Sequence, residues 1–173
     1  MKKINITGKK NIDSLNYKKT NKKSKRTNTE NWKNIFKNFN NFKQTEYLNK
    51  LFLNEKYEGD DIVKKEIKNK ILNYKNQDKN KNMDATKVIT YEECLEKLVI
   101  SKLVCTYCRK YCMLLYEEVR TPSQWTLDRI NNDIGHTKDN VVISCLSCNI
   151  KRGVMDDDKF KFTKQLKIIK KYD

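Results

Sequence analysis

Four cysteines occur in two pairs of the same form. The pairs are Cys105-Thr-Tyr-Cys108 and Cys145-Leu-Ser-Cys148, and the second begins 37 positions after the first ends. A Cys-x-x-Cys turn places two sulfurs on one side of the chain, and two such turns supply the four thiolates of a tetrahedral structural zinc. The sequence therefore predicts a Zn²⁺ site at these four cysteines. Because the gap is long, we expect the metal to pin the base of an inserted hairpin.

Two further cysteines complete the set of six. Cys112 follows the first pair and could compete as a ligand, but the paired turns already fill a tetrahedral shell, so we interpret it as a small buried hydrophobe. Cys94 lies on an apolar helical stripe and is expected in the core. The first residues lack the apolar segment of a secretory signal, so we expect a reducing compartment in which the cysteines are thiols or metal ligands.

The segment between and around the two pairs carries a distinctive combination of residues, namely Leu127-Asp-Arg-Ile130, Asp139-Asn-Val-Val142 and Cys145-Leu-Ser-Cys-Asn149. This combination resembles the HNH (ββα-metal) endonuclease family, in the zinc-containing branch that includes the phage endonuclease VII. In that family a strand ends in Asp-His, a loop and second strand carry an Asn, and a helix begins at a zinc knuckle followed by Asn or His. The resemblance covers about residues 90–155.

The resemblance implies roles for Asp128, Asn140 and Asn149. Cleavage of a phosphodiester needs a divalent cation that polarises the phosphate and a base that activates water. Asp128 and Asn149 offer the hard oxygen ligands that Mg²⁺ or Mn²⁺ prefers, and Asn140 would brace the catalytic loop through backbone hydrogen bonds. The alternative is that these residues provide ordinary turn and cap chemistry.

This chain departs from the family at one position, because Arg129 stands where the family has its general-base histidine. Arginine does not lose its proton near neutral pH. Three alternatives follow. His136, the only histidine of the chain, acts as the base, unless it is a loop histidine bonded to backbone or phosphate; or metal-bound water reacts while Arg129 clamps the phosphate; or catalysis is lost and a zinc-stabilised binding surface remains.

Positive charge is concentrated in the N-terminal half of the 173 residues. Residues 1–83 carry 22 Lys or Arg and 9 Asp or Glu, a net charge of +13 out of +16. We predict that residues 1–27 form a basic arm that is disordered when free and binds a phosphate backbone without reading its sequence. An A+T-rich genome also favours Lys and Asn, and an acidic membrane surface or protein could use the same arm.

The helices and strands that must position these residues are predicted from apolar periodicity and turn signals. Residues 28–83 are predicted as a Lys/Asn-rich helical region with helices at Trp32–Phe42, Tyr47–Phe52 and from Asp60 through Tyr74, followed by a polar linker at Asn76–Asn82. No stretch of about 18 apolar residues is present, which argues against a membrane span.

Residues 84–173 are predicted as the zinc domain. Thr90-Tyr-Glu-Glu93 has the form of a capping box before a helix that ends near Ser101. Met113–Tyr116 and Val141–Ser144 are prone to form strands, and a helix that begins near Asp156 and includes Ile169 closes the chain. The fold class is therefore α+β: a zinc-stapled, HNH-like ββα-metal domain preceded by a basic helical arm.

Two functions are compatible with these features. The first is a metal-dependent DNA endonuclease or nickase of HNH type; its residues would be Asp128, Arg129, His136, Asn140 and Asn149. The second is a non-catalytic zinc module that binds DNA or RNA in a larger assembly such as a virion, a transcription complex or a ribosome. We expect nucleic acid, DNA rather than RNA, as the partner, and no membrane. The Leu127-Asp-Arg-Ile130 form of the motif resembles that of proteins from large DNA viruses and phages. This resemblance predicts a location in the host cytoplasm, nucleus or virion.

Overall fold

A computed structural model describes residues 41–166, together with Lys9, residues 24–26, Thr29, Trp32 and Ile35. Its helices and strands, in chain order, are α1 (Asn41–Phe52), α2 (Asp60–Asn80), α3 (Tyr91–Ser101), β1 (Trp125–Arg129), β2 (Val141–Cys145), α4 (Leu146–Arg152) and α5 (Asp157–Gln165), with a 3₁₀ turn at Lys138–Asn140. Most of the predicted basic arm and of the helix predicted at 32–42 lies outside the described residues.

Helix α2 confirms the helix predicted from Asp60. Gly59 precedes it with a left-handed φ of 87°, and the carboxylates of Asp60 and Asp61 occupy its first turn, where they favour the positive end of the helix dipole. The helix continues to Asn80, so the linker predicted at 76–82 is wrong over most of its length. Asp78 is buried in the last turns of the helix, so tertiary packing holds this end of the helix in place.

Helix α3 begins at the predicted capping box. The Thr90 hydroxyl accepts from the Glu93 backbone N–H at 3.2 Å, and the Glu93 carboxylate accepts from the Thr90 backbone N–H at 2.9 Å. The helix ends at Ser101, as predicted, with Lys102 in the left-handed conformation. Cys94 is fully buried on its inner face, which confirms the core position expected for that cysteine.

The sheet consists of the antiparallel strands β1 and β2, with Trp125 opposite Cys145 and Asp128 opposite Val142. The strand predicted at Val141–Ser144 is confirmed. The strand predicted at Met113–Tyr116 is not formed, and only an isolated bridge joins Met113 to Gln124. The backbone N–H groups of Leu114 and Leu115 instead donate to the buried side chain of Gln44, at 2.7 and 3.1 Å.

One hydrophobic core joins the two halves of the chain. It contains Leu48, Val63 and Ile67 from α1 and α2 together with Leu98 and Trp125 from the C-terminal half. Helix α1 contacts both α2 and α3. The helices of region 28–83 therefore pack directly on the predicted zinc domain, and the described residues form an α+β arrangement of helices around a two-stranded sheet.

Helix α5 closes the described chain. The Asp156 carboxylate accepts from the Lys159 backbone N–H at 3.1 Å and caps the helix. Phe160 is buried, and its ring meets Tyr107 edge to face with centroids 5.0 Å apart. The predicted continuation to Ile169 lies outside the described residues. Within the described part of the chain, no helix has the length and apolarity needed to cross a membrane.

The shared core makes a testable prediction on helix α2. Ile67→Ala removes a fully buried side chain and should lower the free energy of unfolding by about 2–5 kcal/mol. Leu72→Ala, on the exposed side of the same helix, should change it by about 0.5 kcal/mol or less. Denaturant unfolding followed by Trp fluorescence measures both. Two separate transitions, with only one shifted by Ile67→Ala, would contradict a common core.

Candidate functional site

The four paired cysteines converge on one point. The sulfurs of Cys105, Cys108, Cys145 and Cys148 all lie within 4.8 Å of one another, and the Cys108 and Cys145 sulfurs are 3.9 Å apart. Tetrahedral zinc with Zn–S distances of about 2.3 Å separates its sulfurs by about 3.8 Å. The cluster is therefore a candidate metal site whose donor set and spacing fit structural zinc.

Short-range backbone contacts shape the first cysteine turn. The Arg109 N–H donates to the Cys105 carbonyl at 3.1 Å, and Arg109 itself has a left-handed φ of 59°. The Cys105 N–H donates to the Lys110 carbonyl at 2.9 Å, and the Thr106 N–H donates to the Ile143 carbonyl of β2 at 2.9 Å. The turn is thus attached to the strand that leads into the second pair.

The second pair lies at the junction of β2 and α4. Cys145 is the last residue of β2 and precedes the first residue of α4, and Cys148 is buried in the first turn of that helix. Asn149 follows Cys148 directly, so the orientation of the helix that carries Asn149 depends on the sulfur cluster.

Cys112 lies beside the cluster but outside the four-sulfur group. It is buried. Hydrogen bonds from Cys112 and Cys145 lower the pKa of the Cys105 thiol. All six cysteines are free, without disulfides, which is compatible with the reducing compartment predicted from the sequence.

A polar cleft of about 420 Å³ lies next to the cluster. Its lining includes the four site residues Asp128, Arg129, His136 and Asn149, to which α2 and the residue after it add Gln77 and Lys81. Asn140 does not line this cleft. The structure therefore brings four of the five residues singled out in the sequence into one concave surface.

The carboxylate of Asp128 forms a buried ion pair with Arg152. The Arg152 guanidinium lies 2.9 and 3.2 Å from the two carboxylate oxygens, and the Tyr107 hydroxyl lies 2.8 Å from one of them. Burial opposes the charged guanidinium, but the hydrogen bonds and charge of Asp128 outweigh it and raise the pKa of Arg152. With both oxygens engaged by a cation and a phenol, Asp128 and Asn149 as they lie do not fit a Mg²⁺ site.

Tyr107 links this ion pair to helix α5. Its hydroxyl also lies 2.6 Å from a carboxylate oxygen of Asp157, at the start of that helix. Burial, followed by the Asp157 hydrogen bond, raises the pKa of Tyr107, so the phenol stays protonated. The first cysteine turn, β1, α4 and α5 therefore meet around one carboxylate, that of Asp128.

Arg129 is held rigidly at the edge of the cleft. Its Nη1 donates to the carbonyls of Asn132 and Ile134, at 3.1 and 3.4 Å, and lies 3.0 Å from the Met83 sulfur. Its Nε and Nη2 have no hydrogen-bond partner among the described residues. Arg129 thus presents a fixed positive charge with unused donors to the cleft.

Asn140 and Asn149 differ in what they contact. The Asn140 amide donates to the carbonyls of Asn131, Ile134 and Gly135, at 2.9–3.1 Å, and its oxygen accepts from the Asn131 N–H at 2.9 Å. It therefore holds the loop between the strands. The Asn149 amide donates to the Thr126 hydroxyl at 3.1 Å, which leaves its own oxygen for the cleft.

His136 is buried and paired with a residue that the sequence does not single out. Its Nδ1 lies 2.6 Å from one oxygen of Asp78, and its backbone N–H donates to the other oxygen at 2.7 Å. Burial lowers the pKa of His136 below its ordinary value, and the hydrogen bond with Asp78 offsets only part of that effect. His136 is therefore predominantly neutral at pH 7.

Three residues of the site are not predicted from the sequence. Asp78 falls in the segment predicted as a linker, and Arg152 and Tyr107 are not among the predicted site residues. The available signal for Asp78 is that it is the only acidic residue among the lysines and asparagines of 76–82. Arg152 and Tyr107 carry no comparable signal, because each is identified only by its contact with Asp128.

Comparison of the chain with protein-family models, with curated proteins and with solved structures gives no match. A function is therefore inferred from the chemistry of the cluster and the cleft.

The sulfur cluster predicts one zinc per chain. Metal analysis of the purified protein should find it, and chelation should unfold the region from about Val88 onward together with α1 and α2, which share its core, because zinc binding in such sites supplies on the order of 10 kcal/mol of folding energy. Cys145→Ser should lose zinc and solubility. Cys112→Ala should keep the zinc, since Cys112 is outside the four-sulfur group. Zinc-free native protein would contradict this prediction.

The buried ion pair makes a second prediction. Asp128→Ala leaves the Arg152 charge buried without its partner and should cost about 3–5 kcal/mol of stability. The double variant Asp128→Ala/Arg152→Met removes both charges and should be more stable than Asp128→Ala alone. Asp133→Ala, at an exposed position in the loop that follows β1, serves as control. Thermal unfolding measures all three, and equal stability of the single and double variants would argue against the pair.

Proposed function

We propose that this protein is a nuclease of HNH type, a metal-dependent DNA endonuclease or nickase whose zinc-stapled ββα domain cleaves phosphodiester bonds in the cleft. The observation that carries the proposal is the convergence of Asp128, Arg129, His136 and Asn149 on one polar cleft beside four clustered cysteines. The order strand, strand, helix, with cysteines at the strand–helix junction, supports it as well.

The proposed role of zinc is structural. Four thiolates leave zinc no open coordination position, so it does not polarise substrate. Its contribution is to hold the first cysteine turn against the β2–α4 junction and so fix the position of Asn149.

Positive charge in the cleft supports a phosphate ligand. Arg129 is fixed by backbone carbonyls, and Lys81 lies on the same lining. A preorganised cation next to a phosphate stabilises the charge that develops in the transition state and needs no rearrangement during the reaction. Arg129 acts here as a phosphate clamp and His136 as the proton acceptor.

The metal requirement of the proposed reaction rests on the resemblance. When bound, Mg²⁺ or Mn²⁺ would polarise the phosphate and stabilise the leaving oxygen. Asp128 becomes a ligand only if Arg152 releases it, and Asn149, which directly follows Cys148, offers a neutral oxygen on the same cleft lining. Asp128 is thus either a metal ligand or a structural anion. The Asp128→Asn variant distinguishes these two roles better than Asp128→Ala does, because it keeps the size of the side chain.

Plasmid nicking tests the proposal. Purified zinc-loaded protein should convert supercoiled plasmid to the open-circular form with Mg²⁺ or Mn²⁺ and should stop when the divalent ion is removed by brief chelation that leaves zinc bound. Arg129→Ala should lower the nicking rate by roughly 10²–10³, the usual effect of removing one transition-state donor. Arg120→Ala, an exposed arginine of the chain, is the matched control. Single-stranded DNA and RNA substrates in parallel assign the substrate class.

The second candidate function is a zinc-stapled nucleic-acid-binding module without catalysis. The Asp128–Arg152 pair favours it, because a carboxylate neutralised by a buried arginine is not available to a metal. In this case the wild type binds DNA or RNA but cleaves neither with any divalent ion, and Asp128→Asn leaves binding unchanged. That result would reject the nuclease.

A further inference from the structure

The carboxylate of Asp78 is completely buried and points at a single residue. One oxygen accepts from the His136 backbone N–H at 2.7 Å, and the other lies 2.6 Å from His136 Nδ1. The carboxylate also lies tight against the chain at Gly135, where a side-chain Cβ would come within 2.8 Å of its oxygen. Asp78 is thus fitted against the segment 135–136.

This contact determines which ring nitrogen of His136 carries the proton. Because a carboxylate only accepts, Nδ1 must be the protonated nitrogen of the neutral ring, and Nε2 keeps its lone pair. Nε2 has no hydrogen-bond partner among the described residues, and His136 lines the cleft. The basic nitrogen is therefore left for a molecule in the cleft.

The surroundings keep the ring neutral. Burial is the largest influence and lowers the pKa of His136, the charges of Arg129 and Lys81 lower it further, and Asp78 raises it in part. Tyr74 contributes an uncharged ring with its centroid 4.5 Å away, and Asp128 on the cleft wall is neutralised by Arg152. The free-base form is therefore present at and above neutral pH and is lost as the pH falls through the lowered pKa.

We infer that Asp78 and His136 form a base unit for the nuclease reaction, with His136 as the catalytic base and Asp78 as its positioning residue. The inference rests on the proposed function. It also means that the base is completed by α2, outside the segment that resembles the HNH family.

The proton balance is simple. Nε2 takes a proton from the attacking water as its oxygen bonds to phosphorus, and the imidazolium formed is stabilised by Asp78. The phosphorus–oxygen bond of the leaving group breaks, and the leaving oxygen takes a proton from solvent. The imidazolium then returns its proton to solvent, so that His136 is regenerated.

A purely structural anchor makes different predictions. If Asp78 only attaches α2 to the segment 135–136, a single hydrogen bond is enough. The side chain of the Asp78→Asn variant can still accept that hydrogen bond. A positioned base needs two acceptor oxygens, whereas the variant has one oxygen and one amide nitrogen to place against the His136 backbone N–H and Nδ1. When the oxygen accepts from the backbone, the amide donates to Nδ1 and moves the proton of the ring to Nε2, which removes the basic nitrogen from the cleft.

Nitrogen NMR of the imidazole reads the tautomer directly, since His136 is the only histidine of the chain. The wild type should show protonated Nδ1 and unprotonated Nε2 at pH 7.5, with a pKa below 6.5. Asp78→Asn should convert the ring to the Nε2-protonated tautomer while the thermal unfolding and zinc content stay close to wild type. A wild-type ring protonated at Nε2 overturns the inference without any reference to activity.

Nicking of the same variants tests the catalytic role. His136→Ala and Asp78→Asn should each lower the plateau rate by roughly 10²–10⁴, and added imidazole should partly rescue His136→Ala. The rate of the wild type should rise with pH through the His136 pKa; in Asp78→Asn that limb should move to lower pH, because a carboxylate that raises the pKa is gone. Asp61→Asn, exposed on the same helix, should behave as wild type.

The outcomes separate the two proposals. A wild type that cleaves no nucleic acid under any condition overturns the nuclease and, with it, the base unit. A wild type that cleaves while folded His136→Ala and Asp78→Asn cleave equally well overturns the base unit and leaves the nuclease standing, with metal-bound water and Arg129 as its chemistry.

Discussion

The convergence of four sulfurs is the constraint on which the remainder of the site depends. It holds together two chain segments that are 37 positions apart, and the Thr106–Ile143 hydrogen bond extends that attachment along β2. In the described residues the sheet has two strands, so a metal bound by these sulfurs would be an effective way to fix the corner between β2 and α4. The direction of α4, and therefore of Asn149 and Arg152, follows from that corner.

Two buried carboxylates, those of Asp78 and Asp128, show how the burial of charge determines local chemistry. A buried charge is costly unless it is paired, so each acid has acquired a cation or a hydrogen-bond donor. Asp128 is paired with Arg152, which is always charged, and is thereby removed from metal chemistry as the side chains lie. Asp78 is paired with His136, which titrates, and this pairing leaves one basic nitrogen available.

The helical region is part of the site as well as of the core. Helix α2 supplies Gln77 to the cleft and places the buried Asp78 against His136, and its Tyr74 hydroxyl accepts from the Leu127 N–H of β1 at 3.0 Å. The zinc-site segment alone thus lacks part of the cleft lining. Truncation of the buried apolar residues of α2 is therefore expected to lower stability, whereas substitutions on its exposed face should have little effect.

The sequence alone determined the features whose signals are local. Cysteine spacing identified the cluster, the capping box located the start of α3, and apolar periodicity located most of α2, because metal-ligand geometry and helix propagation act within a few residues. Only the tertiary structure decided the partners of the charged residues. Asp78 lies 58 positions from His136, and Asp128 lies 24 from Arg152. Such pairings depend on how the elements pack, and they decided which carboxylate is sequestered and which histidine nitrogen is free.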